Sequence, residues 1–246
     1  ITKVAADNTI TPPQLSDIEL EYEQLYEPLE PYSDYVRMLD IDNAVHSVIY
    51  KENGTTFTRE CFMSYPDNVM VMRLTSDSKK GKLSRIISLE SLHTDKTITA
   101  DGHTITMTGY PTPVSGDKRV GDAWKNGLKY AQQLVVKNKG GKISVVDGTK
   151  LKVEDADEII VLMSAATNYV QCMDDSYNYF SQEDPLEKVQ ATLHKVADKK
   201  YTALLATHQK DYHSLYDRMR LNLGNLPEAP VAPTDSLLKG MDENTN

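Results

Sequence analysis

Along residues 34–74, apolar and polar positions alternate in short runs interrupted at Asn53-Gly54 and again at Pro66-Asp67-Asn68. Into the first break, Val45, Ser47 and Ile49 fall on one side, and His46, Val48 and Tyr50 on the other. Out of it, Phe57, Arg59 and Cys61 alternate with Thr58, Glu60 and Phe62. A period of two is the period of a strand. An Asn-Gly pair between two such runs predicts a two-residue type I′ turn, whose central residues both need positive φ. That loop fixes the register: Tyr50 opposite Phe57, Ile49 opposite Thr58, Val48 opposite Arg59, His46 opposite Cys61 and Val45 opposite Phe62. Pro66-Asp67-Asn68 breaks the ladder, and residues 69–74 begin another strand.

The same period recurs on both sides of this stretch. Residues 1–16 are polar around Pro12-Pro13 and read as an unfixed lead-in, whereas residues 18–23 alternate as a strand. Lys79-Lys80-Gly81 turns the chain into a strand over 83–89. Asp101-Gly102 marks a further hairpin, which places Ile98 opposite Ile105. Residues 112–126 form a loop rich in Pro, Gly and charge that holds the single tryptophan, Trp124. Strands over 128–136, 143–146, 151–153 and 159–164 follow, punctuated by Gly140-Gly141 and Asp147-Gly148. Short strands at regular spacing predict a mainly β fold, an antiparallel β-sandwich.

After residue 168 the period lengthens. Asp184-Pro185-Leu186-Glu187 combines an N-cap, a proline at the first helical position and a Glu three residues after the cap. Leu186, Val189, Leu193 and Val196 then share one helix face. A second helix carries Tyr201, Leu204, Leu205, His208, Tyr212, Leu215, Tyr216 and Met219 as a stripe, and is expected to end near Leu223-Gly224-Asn225. The Pro-rich stretch beyond reads as a linker. The predicted organisation is a β-sandwich over 1–170, a helical pair over 171–224 and a linker or tail over 225–246.

Charge and cysteine content narrow the function classes. With a formal net charge of −9 and no basic run longer than two lysines, the chain lacks the clustered basic face that nucleic acid requires. No stretch approaches the roughly 18 apolar residues of a membrane-spanning helix. Two cysteines, Cys61 and Cys172, make no disulfide framework.

The central stretch carries a family pattern. Tyr35, Arg37, Leu39-Asp40-Ile41, Ala44, Tyr50, Gly54, Arg59-Glu60, Phe62, Ser64, Pro66-Asp67, Val69, Val71 and Arg73 stand in the order and spacing of one family's amino-terminal β-domain. The chain resembles glycoside hydrolase family 95, whose members are α-L-fucosidases and some α-L-galactosidases. The resemblance continues through residues 140–169 and the paired helices. It implies a β-sandwich of the super-sandwich type, and a helical linker packed on a following (α/α)6 barrel. It also implies that the family's Gly-rich opening segment and its barrel lie outside this sequence. The family's catalytic acid, base and supporting asparagines sit on that barrel, and no position here matches their motifs. No catalytic residue is therefore assigned, and no metal or cofactor is called for. The implied partner is the barrel of the same parent protein, with an oligosaccharide as a second partner and a secreted or periplasmic location. A free-standing carbohydrate-binding module is the alternative reading.

Several residue groups invite chemistry and are better read as structure. His46 opposite Cys61 could pair a thiol with a base, but lacks a third orienting group and reads as an ordinary cross-strand pair. His208 and His213 are five apart, one residue beyond the i, i+4 spacing of two zinc ligands on one helix face, so His208 belongs in the packed stripe and His213 outside it. Asp155, Asp157 and Glu158 lack the glycine of a cation loop and read as a solvated turn. Asn53-Gly54-Thr55 matches a glycosylation acceptor, though the turn accounts for it fully. Tyr110, Tyr177, Tyr179 and Phe180 could stack on sugars or sit in a core. The loop residues selected as substrate-binding candidates are Trp124, Asn168 and Tyr169.

Overall fold

The computed structural model describes residues 3–4, 10–11, 33–78, 83–111, 127–171, 180–221 and 236. The lead-in contributes β1 (Lys3–Val4) and β2 (Ile10–Thr11), a short antiparallel pair where no fixed structure is expected from composition. Then follow β3 (Ser33–Asp40), β4 (Val45–Glu52), β5 (Thr55–Ser64), β6 (Val69–Ser76) and β7 (Leu83–Ile87). The series continues with β8 (Lys96–Asp101), β9 (Thr104–Gly109), β10 (Tyr130–Lys139), β11 (Lys142–Val146), β12 (Lys150–Ala156) and β13 (Glu158–Thr167). Two helices described along their length follow, α1 (Pro185–Val196) and α2 (Tyr201–Tyr216). The residues predicted to form a strand at 18–23 lie outside those described.

Eight strands form one antiparallel sheet in the order β3-β4-β5-β6-β13-β10-β9-β8, and three form a second in the order β11-β12-β7. The strands β10 to β13 act as one long hairpin bent over upon itself. β10 and β13 pair in the large sheet, and β11 and β12 pair in the small one. The bend needs glycine: Gly140 and Gly141 have φ of +69° and +63°, and a Cβ on Gly141 would collide with the Glu154 carbonyl. One face of the large sheet thus meets the small sheet around Ile105, Leu134, Val136, Leu151, Val153 and Ile159. The opposite face meets the helices around Phe62, Val71 and Leu162, with Val189, Leu193 and Leu204 from α1 and α2.

The central hairpin has the expected register. Tyr50 pairs with Phe57 and His46 with Cys61, and Asn53 and Gly54 have φ of +49° and +72°. The paired ladder stops at His46, one step short of Val45 and Phe62, which share the helix-side core. The second hairpin differs. Its two-residue turn is Gly102-His103, so Ile105 pairs with Ala100, and Ile98 with Met107. Only Gly102 has positive φ there, the requirement of a turn with glycine at its first central position. The shift is even, so Ile98 and Ile105 keep the face that alternation assigns them.

α1 begins as its sequence dictates: the Asp184 carboxylate accepts from the Leu186 backbone N–H at 2.9 Å, and Pro185 occupies the first turn. α2 ends earlier than its apolar spacing suggests, at Tyr216. His213 and Arg220 both meet the Asp217 carboxylate at 3.1 Å, around the point where the helix stops. Met219 therefore lies beyond the helix and is exposed. An apolar repeat alone does not sustain a helix once tertiary partners run out.

Candidate functional site

Several residues of the central family pattern, Asp40, Glu60, Asp67 and Arg73 among them, converge on the seat of α2. Arg73 projects from β6 on the helix-bearing face, beside Val69 and Val71. Its Nε donates to Glu158 at 2.7 Å, its Nη1 lies 3.3 Å from Glu60, and its guanidinium sits 4.8 Å above the Tyr201 ring. Glu158 is thus an ion-pair partner rather than part of a solvated turn, because β13 brings it alongside β6; Asp155 is exposed but belongs to β12, and only Asp157 lies in the exposed turn between β12 and β13. Burial, and next the Glu60 carboxylate, hold the Tyr201 phenol above its ordinary pKa. Its buried hydroxyl lies in this cluster without a well-formed hydrogen bond.

A second anchor lies between the helices. Asp67, whose side chain is only 4% exposed, accepts from the Ser64 hydroxyl at 2.7 Å and from the Lys199 amine at 2.6 Å. The Ser-x-Pro-Asp pattern therefore closes its own turn and receives the α1–α2 connection in the same group.

The third anchor is the turn between β3 and β4. Asp40 accepts from the Asn43 side-chain amide at 2.8 Å and from its backbone N–H at 3.1 Å, and Ala44 takes a φ of +51°. Those two bonds, the side-chain one first, lower the Asp40 pKa. The turn so shaped meets the middle and end of α2. Nε2 of His208 lies 3.0 Å from the Ala44 carbonyl, Gln209 donates to Asn43, Tyr212 to the Ile41 carbonyl and Tyr216 to Asp42. His208, buried as expected, also stacks on Phe62 with ring centroids 4.8 Å apart. His213 lies outside the buried stripe.

Beyond those anchors the apolar stripe is uncovered. Tyr201, Leu204 and His208 are buried, while Leu215 and Met219 are 62% and 84% exposed. The edge strand β3 adds Tyr35, Val36, Met38 and Leu39, each at least half exposed.

The opposite end of the sheet carries an open cleft of about 620 Å³ between β9, β10, β13 and the segment at 90–93. Tyr130 is its central ring. It pairs with Gly109 and Thr167 across the sheet, and a Cβ on Gly109 would collide with it and with the Asp95 carbonyl. The His93 ring stands 5.6 Å from that of Tyr130.

Of the selected loop residues, Trp124 lies outside the described residues, as do Tyr177 and Tyr179. Asn168 is buried and spends both ends of its carboxamide on backbone: Oδ1 accepts from Lys129 at 2.7 Å, and Nδ2 donates to Gly127 at 2.8 Å and to Ser181 at 3.3 Å. Tyr169 is half exposed and bridges to Phe180. The structure thus sets Asn168 and Tyr169 side by side at a strand end, one inward and one outward. Cys61 is half-buried, and burial raises its thiol pKa, the reverse of an activated nucleophile. No cluster of three or more His, Cys, Asp or Glu residues suited to a metal occurs among the described residues. The cleft is not legible in the sequence because its described lining comes from four separated segments; among these only the aromatic at 130 within a strand points to it.

Comparison with known proteins places this architecture. Residues 3–172 match the model of the family described as glycosyl hydrolase family 65, N-terminal domain. An α-fucosidase 2 of Arabidopsis thaliana, named "Alpha-L-fucosidase 2", is 31% identical over 223 residues, 85% of this chain and 26% of that protein. "Probable alpha-fucosidase A" of Aspergillus niger is 29% identical over 98% of this chain and 28% of its own length. The chain therefore spans between a quarter and three tenths of these relatives. Among solved structures, one named for a kojibiose phosphorylase from the human microbiome superposes with a TM-score of 0.50 at 11% identity, over 76% of this chain and 25% of that one. That likeness concerns the fold alone.

Proposed function

The chain belongs to the family of glycosyl hydrolase family 65 N-terminal domains, and from that premise we propose that it is the non-catalytic N-terminal portion of an α-L-fucosidase-like enzyme. In this reading residues 1–170 are the sandwich, 171–224 a helical linker and 225–246 the approach to an (α/α)6 barrel. The barrel would supply a general acid for the glycosidic oxygen and a base for water on the opposite face, giving hydrolysis of terminal α-L-fucosides with inversion. The role of this chain is architectural: to hold α2 in a fixed orientation and offer its far end to the rest of the protein.

One observation carries the proposal. The family-pattern residues Asp40, Glu60, Asp67 and Arg73 fix α2 on the sheet, yet its stripe ends in exposed Leu215 and Tyr216, and exposed Met219 follows just beyond the helix. An apolar stripe continuing past its own domain calls for a covering surface. The names of the fucosidase relatives, and the fraction of them that this chain spans, support the same reading.

The test pairs the isolated chain with its parent. The chain alone should not turn over an aryl α-L-fucoside, whereas the parent should. In the parent, Leu215→Glu combined with Met219→Glu should lower both melting temperature and activity. Sustained turnover by the chain alone, lost on mutating one of its own residues, would overturn the proposal.

A further inference from the structure

We propose that the cleft over β9, β10 and β13 is a binding subsite for a neutral pyranose, a role separate from the docking of α2. Its size falls in the range of small-molecule sites. Its lining has the two-sided chemistry of a sugar ring. Tyr130 and His93 give rings and Pro111 an apolar edge for the C–H face. Glu90, Gln132 and Ser91 give a carboxylate, a carboxamide and a hydroxyl for the sugar hydroxyls. Among the described residues that line the cleft none is a lysine or arginine and one is a carboxylate, so phosphates and uronic acids are disfavoured.

The site is held rather than incidental. Ala165 faces Gln132 from β13, a small residue beside the larger ones that border the cleft, and the Tyr130 ring lies over Gly109, where a Cβ would collide with it. Above them the turn at 91–93 is pinned from several sides. Lys96 donates to the carbonyls of Ser91 and His93, the Ser91 hydroxyl accepts from the His93 backbone N–H at 3.2 Å, and it lies 3.4 Å from the Tyr130 hydroxyl. The Tyr110 N–H donates to the Asp95 carbonyl at 3.0 Å, which ties the end of that segment to the sheet. A rigid cleft loses little entropy on binding.

Isothermal titration and ligand-observed NMR on the 246-residue chain test this with methyl α-L-fucopyranoside, methyl β-D-galactopyranoside and methyl β-D-glucuronide. At least one neutral glycoside should bind in the millimolar range and the glucuronide should not. Glu90→Ala, at an exposed position, should weaken binding about tenfold, as should Gln132→Leu. Tyr65→Ala, exposed and outside the cleft, should leave it unchanged. Melting curves establish that each variant is folded, and Glu90→Ala keeps the test valid if Gln132→Leu is not. No binding of either neutral glycoside, preferential binding of the glucuronide, or affinity unchanged in Glu90→Ala would overturn the proposal. That result would leave the architectural reading intact, since the latter rests on turnover by the parent.

Discussion

The Arg73 guanidinium lies 4.8 Å above the ring of Tyr201, a contact that joins the middle of the large sheet to the first residue of α2. Arg73 is held from both sides by Glu60 and Glu158, so its plane is set from the sheet itself. A planar guanidinium suits this arrangement, binding carboxylates at its edge and an aromatic on its face.

Arg73→Met should therefore destabilise the chain by about 1–3 kcal/mol, since it leaves two half-buried carboxylates facing each other without a cation. Arg73→Lys should recover only part of this, because an ammonium cannot serve both carboxylates and the ring. Urea unfolding of the three proteins checks the order. Equal stability of Arg73→Met and the native chain would remove the anchor from the account.

Leu204, 1% exposed between helix and sheet, reports on packing instead of charge. Leu204→Ala should cost about 2–5 kcal/mol, whereas Leu215→Ala should change stability by less than about 0.5 kcal/mol. Thermal or denaturant unfolding of the two variants measures the contrast directly. Equal losses would show that the far end of α2 is covered within this chain.

Asp40 gives the turn between β3 and β4 a pH dependence. Its pKa is lowered by the Asn43 side-chain amide first and the Asn43 backbone N–H second. A folded-state pKa below the unfolded value means a stabilisation present above the unfolded pKa, about 3.9, and lost as pH falls through the folded one. Asp77, lowered by its hydrogen bonds from Thr56, acts in the same direction. Between pH 5 and pH 2, on the order of the carboxylate range, Asp40→Asn should show a shallower loss of stability than the native chain. Parallel unfolding midpoints across that range would count against the bond.

Cys61 should react slowly. Burial raises its thiol pKa, partly offset by Arg59, so less thiolate is present at neutral pH than in a free cysteine. In a Cys172→Ser background, Ellman's reagent at pH near 8 should modify Cys61 more slowly than an unstructured cysteine peptide. Modification at the peptide's rate would contradict the burial.

Much of this was readable from residues alone, and the limits have physical causes. Asn53-Gly54 determines a hairpin because a two-residue turn with two positive φ angles admits one register. Asp101-Gly102 is an equivalent turn pair, but the glycine serves as the first central residue, and composition does not reveal which offset a turn will use. Asp184-Pro185 marked the start of α1 because caps are local, whereas the end of α2 depends on where the Ile41–Ala44 turn stops supplying partners. The family-pattern residues were visible as a pattern, but not their common purpose. Glu60, Asp67 and Arg73 meet Glu158, Lys199 and Tyr201, which are far away in sequence. Of the selected loop residues, Asn168 shows why exposure cannot be read from loop position: its carboxamide replaces missing ladder bonds between three segments.

Native-state hydrogen exchange along α2 tests most directly whether the pattern residues of β3 to β6 seat that helix. In the native chain, amides in the 204–208 stretch should be protected nearly as well as β6, and those after 212 much less. In Arg73→Met and in Asp40→Ala, protection along α2 should fall while β10 and β13 keep theirs. Unchanged protection of α2 in both variants, or an equal loss across helix and sheet, would contradict the account.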